Sequence, residues 1–547
     1  MIQASSIQKS YGAQTLFEDV SFLIGKGERV GLVGRNGTGK STLFRIILGE
    51  EHIDSGEISM PKNYKIGTLE QHIRFTKPNV LDECIQALPP EEQWDHYKAE
   101  MILSGLGFSQ ADFEKDPHSF SGGYQVRINL CKALLNNPNM LLLDEPTNYL
   151  DILSLRWLKG YLTSWQGEMM LITHDRDFMD KVTTHTMGIH RRQARKVKGD
   201  TIKFYEMIMM EEETYEQTRQ NIEKKKKEMQ ALIDRFKAKA SKAAMAQSRV
   251  KMMAKMGTLD KLEDEKTLGF RFNHLACPGK TVMSAQNISF SYDGKEENSI
   301  FRNISFSIGR SDRIAIIGAN GKGKSTLLNC LAGELKPTAG TVTTHPETRI
   351  GHFGQTNIDR LTADNRVVDE IQKSNPNLSL QASHAICGAM MFEGDISKKL
   401  IKVLSGGERS RVLLGKIISH PTNLLLLDEP THHLDVESIE SLIEELDSYP
   451  GAVVIVTHSE LLLRSLAQNL IIFHSGKAEY FLGGYDDFLE KIGWEGEPVA
   501  EKKEKNKLSK KEARQLRAQE RLQTTQGGDS ANNDDKKGPK RGKNKGR

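Results

Sequence analysis

The sequence predicts an α/β protein in which one type of domain occurs twice, with a long helical linker between the copies. Five positions return at one constant spacing: Lys40 as Lys324, Gln71 as Gln355, Ser121 as Ser405, Glu145 as Glu429 and His174 as His458. In both copies, apolar runs typical of buried parallel strands alternate with segments that favour helices. Between the copies, Glu211 to Lys255 contains neither proline nor glycine, which favours a long helix.

The repeat divides the 547 residues into four predicted segments. We assign residues 1–205 to the first domain, 206–282 to the linker, 283–490 to the second domain and 491–547 to a basic tail that we expect to be disordered. Each of the two domains is long enough to bury a core of its own.

The composition argues against several classes of protein. With 37% hydrophobic and 27% charged residues, and no apolar run near the roughly 18 residues that a membrane span needs, we expect a soluble chain without a membrane domain. The first six residues lack the basic and apolar regions of a signal peptide, so we expect a cytoplasmic protein. Five cysteines without C-x-x-C spacing predict neither disulfides nor a zinc site.

The net charge of +4 is unevenly distributed along the chain. Arg219 to Lys255 contains twelve Lys/Arg and three Asp/Glu, and Glu501 to Arg547 contains sixteen and seven, so each segment carries +9. The remainder, mainly the two repeated domains, therefore carries −14. Clustered positive charge on the linker and the tail indicates a polyphosphate partner, with a solvated charged surface as the alternative.

Each domain contains a glycine-rich loop between an apolar strand and a helix. Gly34 to Ser41 and Gly318 to Ser325 both fit the pattern G-x-x-x-x-G-K-[ST]. Backbone N–H groups of such a loop surround phosphates, the lysine adds positive charge, and the serine hydroxyl can bind Mg²⁺. The predicted ATP-binding residues are Gly34, Arg35, Asn36, Gly37, Thr38, Gly39, Lys40, Ser41 and Thr42, and Gly318, Ala319, Asn320, Gly321, Lys322, Gly323, Lys324, Ser325 and Thr326.

A later strand in each domain ends in two acids. Met140 to Glu145 and Leu424 to Glu429 are apolar runs that finish with Asp-Glu. Ligands of open parallel sheets bind at the carboxyl ends of the strands. We therefore predict that Asp144 and Asp428 serve Mg²⁺, and that the glutamate after each of them polarises the attacking water.

A Ser-Gly-Gly signature stands at the same distance before each of these aspartates, as Ser121, Gly122 and Gly123 and as Ser405, Gly406 and Gly407. At these residues the chain resembles the ATP-binding-cassette superfamily. The resemblance implies two cassettes arranged head to tail, so that the signature of one cassette covers the ATP held by the other. Each of the two active sites would then combine residues of both cassettes.

The resemblance also assigns roles outside these loops. It implies that Gln71 and Gln355 sense Mg²⁺ and the γ-phosphate, and that His174 and His458 contact the γ-phosphate. Both cassettes keep the aspartate, the glutamate and the histidine, so we expect ATP hydrolysis at both sites. The predicted catalytic set is Glu145, Glu429, His174 and His458, and the predicted Mg²⁺ set is Ser41, Gln71, Asp144, Ser325, Gln355 and Asp428.

Two further pairs of residues complete the predicted sites. Asp151 and Asp435 occupy the position at which the family couples its two sites across the cassette pair. Tyr11 and Tyr292 are candidates for stacking on adenine, although they lie at unequal distances before Lys40 and Lys324 and therefore do not share the repeat spacing.

The linker narrows the resemblance to the ABC-F proteins, which have two tandem cassettes, no membrane domain and a basic helical linker. The motifs Asp144 to Asp151 and Thr173 to Phe178 are similar to that family's pattern, and the resemblance covers residues 1–490. It implies an ATPase that docks on the ribosome when ATP-bound, extends its linker towards the peptidyl-tRNA and the peptidyl-transferase centre, and leaves after hydrolysis. The expected partners of a monomeric chain are therefore the ribosome, rRNA and tRNA.

The linker is expected to form one long helix or a helical hairpin. Its predicted tip lies between Ala238 and Ala244, with Phe236 and Met245 close by. For the tail, nonspecific contact with rRNA is a hypothesis.

The second cassette departs from the family pattern in two places. It has Thr431-His432-His433 where an asparagine usually follows the threonine, and His458-Ser459-Glu460 where Asp-Arg commonly follows the histidine. Both departures leave the catalytic groups in place and raise the question of whether the two sites behave alike.

Three alternative functions remain open at the level of the sequence. The chain could protect ribosomes against antibiotics, act in DNA maintenance, or serve as the ATPase subunit of separate membrane proteins. The lack of zinc-type cysteine pairs counts against the better-known DNA-maintenance forms, and a basic linker has no evident use beside a membrane protein.

Overall fold

The computed structural model of the protein describes residues 1–12, 14–69, 74–237, 251–252, 268–354, 361–432, 434–474 and 477–494. Within these ranges, both cassettes have the same architecture: a three-stranded antiparallel sheet, a six-stranded mixed sheet and a set of helices. This confirms the predicted α/β fold with two P-loop domains.

The first cassette and the linker contain nine strands and eight α-helices among the described residues. The strands are β1 (Ile2–Tyr11), β2 (Gln14–Ile24), β3 (Arg29–Val33), β4 (Ser55–Ser59), β5 (Ile66–Thr68), β6 (Met140–Asp144), β7 (Glu168–Ile172), β8 (His185–His190) and β9 (Gln193–Lys198). The helices are α1 (Lys40–Leu48), α2 (Val80–Ile85), α3 (His96–Gly105), α4 (Gln110–Phe113), α5 (Gly122–Leu135), α6 (Ile152–Ser164), α7 (Arg176–Val182) and α8 (Thr201–Lys237).

The second cassette repeats this order of elements. Its strands are β10 (Thr281–Phe290), β11 (Phe301–Gly309), β12 (Arg313–Gly318), β13 (Ala339–Thr344), β14 (Ile350–Phe353), β15 (Leu424–Asp428), β16 (Ala452–Val456), β17 (Asn469–His474) and β18 (Lys477–Leu482). Its helices are α9 (Lys324–Leu331), α10 (Val367–Ser374), α11 (Leu380–Ala389), α12 (Gly406–Ile418), α13 (Val436–Ser448) and α14 (Glu460–Leu466), and α15 (Tyr485–Lys491) follows.

The six-stranded sheets position the predicted sites. Their strand orders are β5-β6-β7-β3-β8-β9 and β14-β15-β16-β12-β17-β18. Neighbouring strands are parallel except for the last strand of each sheet, which is antiparallel. The carboxyl ends of β3, β6 and β7 therefore lie side by side, which brings the phosphate loop, the paired acids and the histidine to one edge of the sheet.

The apolar run of β6 is explained by what covers the sheet. Met140 and Leu142 join the core shared with the three-stranded sheet and α1, whereas Leu141 and Leu143 join the core formed with the helices on the opposite face. Because successive side chains of a strand point to opposite faces, a strand covered on both sides has no polar position.

The linker helix α8 is fixed to the first cassette at its root. Thr201 donates hydrogen bonds to the Asp180 carboxylate through its backbone N–H and its hydroxyl, both 2.9 Å long. Phe204 and Ile208 pack with Val33 and with a methionine of α7. The helix begins five residues before the predicted linker boundary at 206, because this carboxylate holds the first turn against the cassette.

Beyond its root, α8 runs outward and exposes positive charge. Its 37 residues extend about 55 Å at 1.5 Å per residue, and Lys224, Lys225 and Lys227 are exposed. The side chain of Phe236, the predicted tip at 238–244, Met245, the hairpin alternative and the tail 495–547 lie outside the described residues. No helix in the described ranges is long and apolar enough to cross a membrane.

Candidate active sites

The phosphate loops are built around glycines in the left-handed region. Gly39 has φ +96°, and a Cβ there would lie 2.8 Å from the Phe17 ring. Gly323 has φ +101°, and a Cβ there would lie 2.2 Å from the Ile300 side chain. Both the backbone conformation and the close neighbour exclude a larger residue, so the loop turns sharply into α1 or α9 and presents its N–H groups at the helix N-terminus.

The loop lysines are buried and bonded to their own loops. The Lys40 ammonium donates to the carbonyl oxygens of Gly34 (2.5 Å) and Arg35 (2.9 Å). In the second cassette, Lys324 donates in the same way to Gly318 (3.0 Å) and Ala319 (2.9 Å). Burial lowers the pKa of both lysines, and the acids at the sheet edge oppose this shift. Each ammonium is thus held at the centre of its loop, where a phosphate would contact it.

The first acid of each pair contacts the serine of the phosphate loop. Asp144 accepts a hydrogen bond from the Ser41 hydroxyl, and Asp428 accepts one from Ser325. Burial raises the pKa of both carboxyls, and the serine hydroxyl partly offsets that effect. A carboxylate beside a hydroxyl forms an oxygen donor set of the kind that Mg²⁺ prefers.

The second acid of each pair has an unusual backbone. Glu145 and Glu429 have φ +50° and +48°, a conformation that non-glycine residues rarely adopt. Each is held there by its N–H, which donates 2.9 Å to a carbonyl at the end of the next strand, Ile172 or Val456. The same strained residue in both cassettes is typical of a functional position.

The glutamate side chains face the predicted histidines. Glu145 Oε1 lies 3.2 Å from His174 Nε2, and Glu429 Oε1 lies 3.4 Å from His458 Nε2. Burial first, and the adjacent aspartate second, raise the pKa of each glutamate to about 8, against the opposing lysine. Apart from this histidine ring, each buried Oε1 has no hydrogen-bond partner in the part of the chain that the structure describes. The structure therefore places a general-base candidate next to the phosphate loop with unused acceptor capacity.

The cassettes contact each other at the position predicted to couple the sites. The Asn320 N–H in the second phosphate loop donates to Asp151 of the first cassette (3.1 Å), and its side-chain amide donates to the Tyr149 carbonyl (3.3 Å). The reciprocal contact is different: Arg35 of the first phosphate loop pairs with Glu437 at 2.6 Å, close to Asp435, whose charge also acts on the first loop lysine.

The signature residues stand at the starts of helices α5 and α12. Ser121 precedes α5, and Ser405 caps α12 through a hydrogen bond from the Glu408 N–H (3.3 Å). Burial lowers the pKa of His458, and nearby cations, among them Arg127 on α5 of the first cassette, lower it further. The first signature helix therefore lies within electrostatic range of the second site.

The two tyrosines predicted to contact adenine have different surroundings. The Tyr292 hydroxyl is 3.2 Å from Thr326 on the helix of the second phosphate loop. Tyr11 instead hydrogen bonds to Glu51 and lies under the Lys9 ammonium, 4.8 Å from the ring centre. Gln71, Gln355 and His433 lie outside the described residues.

The second site contains a histidine that the first lacks. His432 Nε2 is 3.5 Å from Glu429 Oε2, whereas Asn148 stands at the corresponding position of the first cassette. In addition, His458 Nε2 is 3.0 Å from Asn320 Oδ1. The two sites thus share the residues predicted to be catalytic and differ in the charge that surrounds them.

Sequence reasoning missed the charged residues that join the cassettes. Arg156 pairs with Glu460 at 2.6 Å, and Arg176 pairs with Glu440. A usable signal existed, because the repeat spacing that relates Lys40 to Lys324 also relates Arg156 to Glu440 and Arg176 to Glu460. Opposite signs at equivalent positions of a repeat indicate a contact between the copies.

Comparison with known proteins agrees with this geometry. The sequence matches the family described as ABC transporter over residues 17–148 and 301–432, and a second family model of the same description over residues 187–272. A putative ATP-binding protein of Bacillus subtilis, YdiF, is 33% identical over 90% of this chain and 83% of its own length. ABC transporter F family member 2 of Arabidopsis thaliana is 31% identical over 90% of this chain and 79% of its own. The chain belongs to the ABC-F family.

This ABC-F protein is an ATPase with two ATP-binding cassettes. Its fold is also similar to that of a solved protein described as RNase-L Inhibitor, with a TM-score of 0.61 and 18% identity over 89% of this chain and 93% of the other. A second similar structure, described as ribosome-bound archaeal Pelota and ABCE1, has a TM-score of 0.58 and 17% identity over 87% of this chain and 78% of the other. At these identities the likeness shows the fold alone.

Proposed function

We propose that this ABC-F ATPase binds the ribosome in its ATP-bound form, with the cassettes closed on each other. The linker then acts near the peptidyl-tRNA and the peptidyl-transferase centre, and ATP hydrolysis releases the protein. The observation that carries the proposal is α8, which is anchored in the first cassette at Thr201 and exposes Lys224, Lys225 and Lys227 far from that anchor. Such a basic projection suits rRNA or tRNA phosphates.

The fold of the two cassettes supports the same proposal. Among proteins with this fold, one solved example is ribosome-bound by its description. A chain that acts on ribosomes would work in the cytoplasm, and its two cassettes can complete each other's sites within one monomer, as the bond between Asp151 and Asn320 illustrates.

The site residues suggest how hydrolysis proceeds. Lys40 would exchange its bonds to the loop carbonyls for bonds to the ATP phosphates. Ser41 and Asp144 would hold Mg²⁺, which neutralises phosphate charge when it is bound. Glu145 would orient the attacking water through its unused carboxylate oxygen, while His174 holds the γ-phosphate side of the site. The equivalent second-site residues are Lys324, Ser325, Asp428, Glu429 and His458.

The deciding experiment uses the hydrolysis-deficient variant Glu145→Gln/Glu429→Gln. Its purified form should co-sediment with ribosomes in ATP and much less in ADP, because ATP favours the docking-competent closed form only through differential affinity. Co-sedimentation that does not depend on nucleotide, or capture of DNA without ribosomes, would count against the proposal and in favour of a DNA-maintenance role.

A linker variant tests the observation that carries the proposal. Replacement of Lys224, Lys225, Lys226 and Lys227 by glutamine should weaken ribosome binding and make its salt dependence shallower, by about 3 in log-log slope if all four contact phosphates. A matched control replaces four exposed cassette lysines, Lys62, Lys65, Lys295 and Lys336, by glutamine. Equal effects of the two variants would show nonspecific attraction rather than a linker contact.

A further inference from the structure

Ion pairs join the two cassettes, and each of them has its positive charge on the same cassette. Arg156 on α6 pairs with Glu460 on α14 at 2.6 Å, and Arg176 on α7 pairs with Glu440 on α13. Lys159 on α6 adds a third cation 3.7 Å from the Glu460 carboxylate. In each of these contacts the first cassette supplies the cation and the second supplies the anion.

The two arginine pairs occupy equivalent positions. The repeat spacing relates Arg156 to Glu440 and Arg176 to Glu460. Exchange of the two cassettes therefore converts one ion pair into the other with its charges reversed. The same contact therefore occurs twice in the interface, and the signs of the charges at these positions distinguish the two cassettes.

A third ion pair also has its cation on the first cassette, but the equivalent positions of the repeat do not form a pair. Arg35 pairs with Glu437 at 2.6 Å. The equivalent positions in the other copy of the repeat are occupied by Ala319 and Leu153, which carry no charge. The first cassette thus presents a basic face and the second an acidic face.

The cations opposite stabilise the charge of the acidic face, in addition to Arg464 (3.9 Å) and the Tyr485 hydroxyl (3.2 Å), which contact Glu460 within the second cassette. Glu460 is 8% exposed, and burial would raise the pKa of its carboxyl, but Lys159 and Arg156 hold that pKa below its usual value. A largely buried carboxylate that lost these partners, or faced a second carboxylate, would be strongly disfavoured.

We propose that these charges determine which cassettes can pair: they admit the opposite cassette and reject a second copy of the same one. In a pair of first cassettes, Arg156 of each copy would face Arg176 of the other. In a pair of second cassettes, Glu440 would face Glu460. The duplicated ATP motifs cannot make this distinction, because both cassettes carry them.

The linker completes the selection. It keeps the two cassettes of one chain at a high effective concentration relative to each other, but it does not by itself prevent pairing between like cassettes of different chains. The charges remove those like pairs, so closure within one chain is the outcome. This inference rests on the cassette contact and the ATPase activity, and it is independent of the ribosome proposal.

The variant Glu440→Arg tests the proposal, because this one substitution opposes pairing of the cassettes within a chain and favours pairing of second cassettes between chains. Within the chain it opposes Arg176. Between two chains it makes the second cassette complementary to itself, since the new arginine can pair with Glu460 of the other copy, twice over. Glu440 is 43% exposed, so the fold should tolerate the change.

We expect E440R to lower ATPase kcat/KM about tenfold. Combined with Glu145→Gln/Glu429→Gln, it should form dimers in ATP, measured by size-exclusion chromatography with light scattering. Glu440→Gln is the matched control: it removes the pair without creating self-complementarity, so it should stay monomeric and lose activity only about twofold.

The swap Arg176→Glu/Glu440→Arg restores an ion pair with reversed sense. It should bring kcat/KM back to within about threefold of the parent protein, because the pair within the chain is restored. It also makes each cassette complementary to itself, so in ATP it should form more dimer than the parent and less than E440R. Arg176→Glu alone is measured as well, because Arg176 also contacts Tyr205. An E440R chain that stays monomeric in ATP, or a swap no more active than E440R, would overturn the proposal.

Discussion

The backbone N–H of Asn320, in the phosphate loop of the second cassette, donates a 3.1 Å hydrogen bond to the carboxylate of Asp151 in the first. The same carboxylate caps α6 by accepting from the Ser154 N–H (2.9 Å) and lies 3.7 Å from the Arg127 guanidinium. One side chain therefore joins the helix that carries the cassette interface to the loop that would hold the phosphates of the other cassette.

Removal of this link should impair ATP turnover in a variant that still folds. Serine caps a helix about as well as aspartate, but it is too short to reach Asn320. We therefore expect Asp151→Ser to reduce kcat about tenfold, the order of one hydrogen bond to a charged group, and to lower the Tm, because the buried Arg127 guanidinium loses its carboxylate. Asp151→Asn, which keeps an acceptor, is the control. Parent-like turnover in D151S would show that the contact does not assist hydrolysis.

The two buried glutamates predict a pH-dependent stability. The pKa of Glu145 and Glu429 is about 8 in the folded chain, against a usual 4.5, with burial as the main cause. Between these values the folded state holds protons that the unfolded state releases, so the contribution of both residues to stability falls as pH rises from about 4.5 to about 8. The double variant Glu145→Gln/Glu429→Gln has no carboxyl at either position, so it does not lose stability in this way as the pH rises.

Without nucleotide, the double variant should therefore exceed the parent in free energy of unfolding at pH 8.5, by on the order of 2 kcal/mol or more, and by less at pH 5.5. Urea unfolding at the two pH values measures the difference. The exposed pair Glu91→Gln/Glu297→Gln is the control and should show no such trend. A pH-independent gain would mean that both glutamates are already ionised near pH 5.

The histidine beside the second site predicts unequal sites. His432 lies 3.5 Å from the Glu429 carboxylate, and its charge contributes to the lowered pKa of His458. The single variants Glu145→Gln and Glu429→Gln should consequently leave different residual ATPase rates. His432→Asn copies the first cassette and should bring these two rates closer together, by about twofold or more. Single-turnover ATPase rates of Glu145→Gln and Glu429→Gln, each with and without His432→Asn, test this prediction. If His432→Asn leaves the ratio of the two residual rates unchanged, His432 is not the cause of the asymmetry.

The positions of the candidate catalytic groups could be predicted from the sequence because backbone chemistry fixes their spacing. A phosphate loop needs glycine at Gly39 and Gly323, where φ is positive and a neighbour fills the Cβ position. A strand covered on both faces must be apolar until it reaches its functional end, which locates Asp144 and Asp428. Local rules of this kind leave few alternatives.

Contacts between surfaces could not be predicted in the same way. Arg156 and Glu460 are 304 positions apart in the sequence. The repeat places opposite charges at equivalent positions, but only the assembled cassettes show which of these charges meet. The start of α8 at Thr201 depends on Asp180 of another helix, which propensity does not reveal. Tyr11 has the residue type expected of an adenine contact, yet its partners in the structure are Lys9 and Glu51.

The root of the linker helix predicts how the ATP sites could control the linker. Arg176, two residues after His174, stacks its guanidinium 4.7 Å from the ring centre of Tyr205 on α8 and also pairs with Glu440 of the second cassette. Opening of the cassettes would break the ion pair and free Arg176 to move relative to α8. This residue thus connects the cassette interface to the linker.

Tyr205→Leu should therefore reduce the stimulation of ATPase by ribosomes, because a cation–π contact of about 0.5–2 kcal/mol is lost. Intrinsic ATPase should stay within about twofold of the parent, because the substitution removes no group at the ATP sites. Tyr205→Phe keeps the ring and serves as the control, with stimulation close to that of the parent. Steady-state ATPase with and without ribosomes measures both quantities. Equal stimulation in Y205L and Y205F would show that the linker responds to the cassettes through other contacts of α8, such as Thr201 with Asp180.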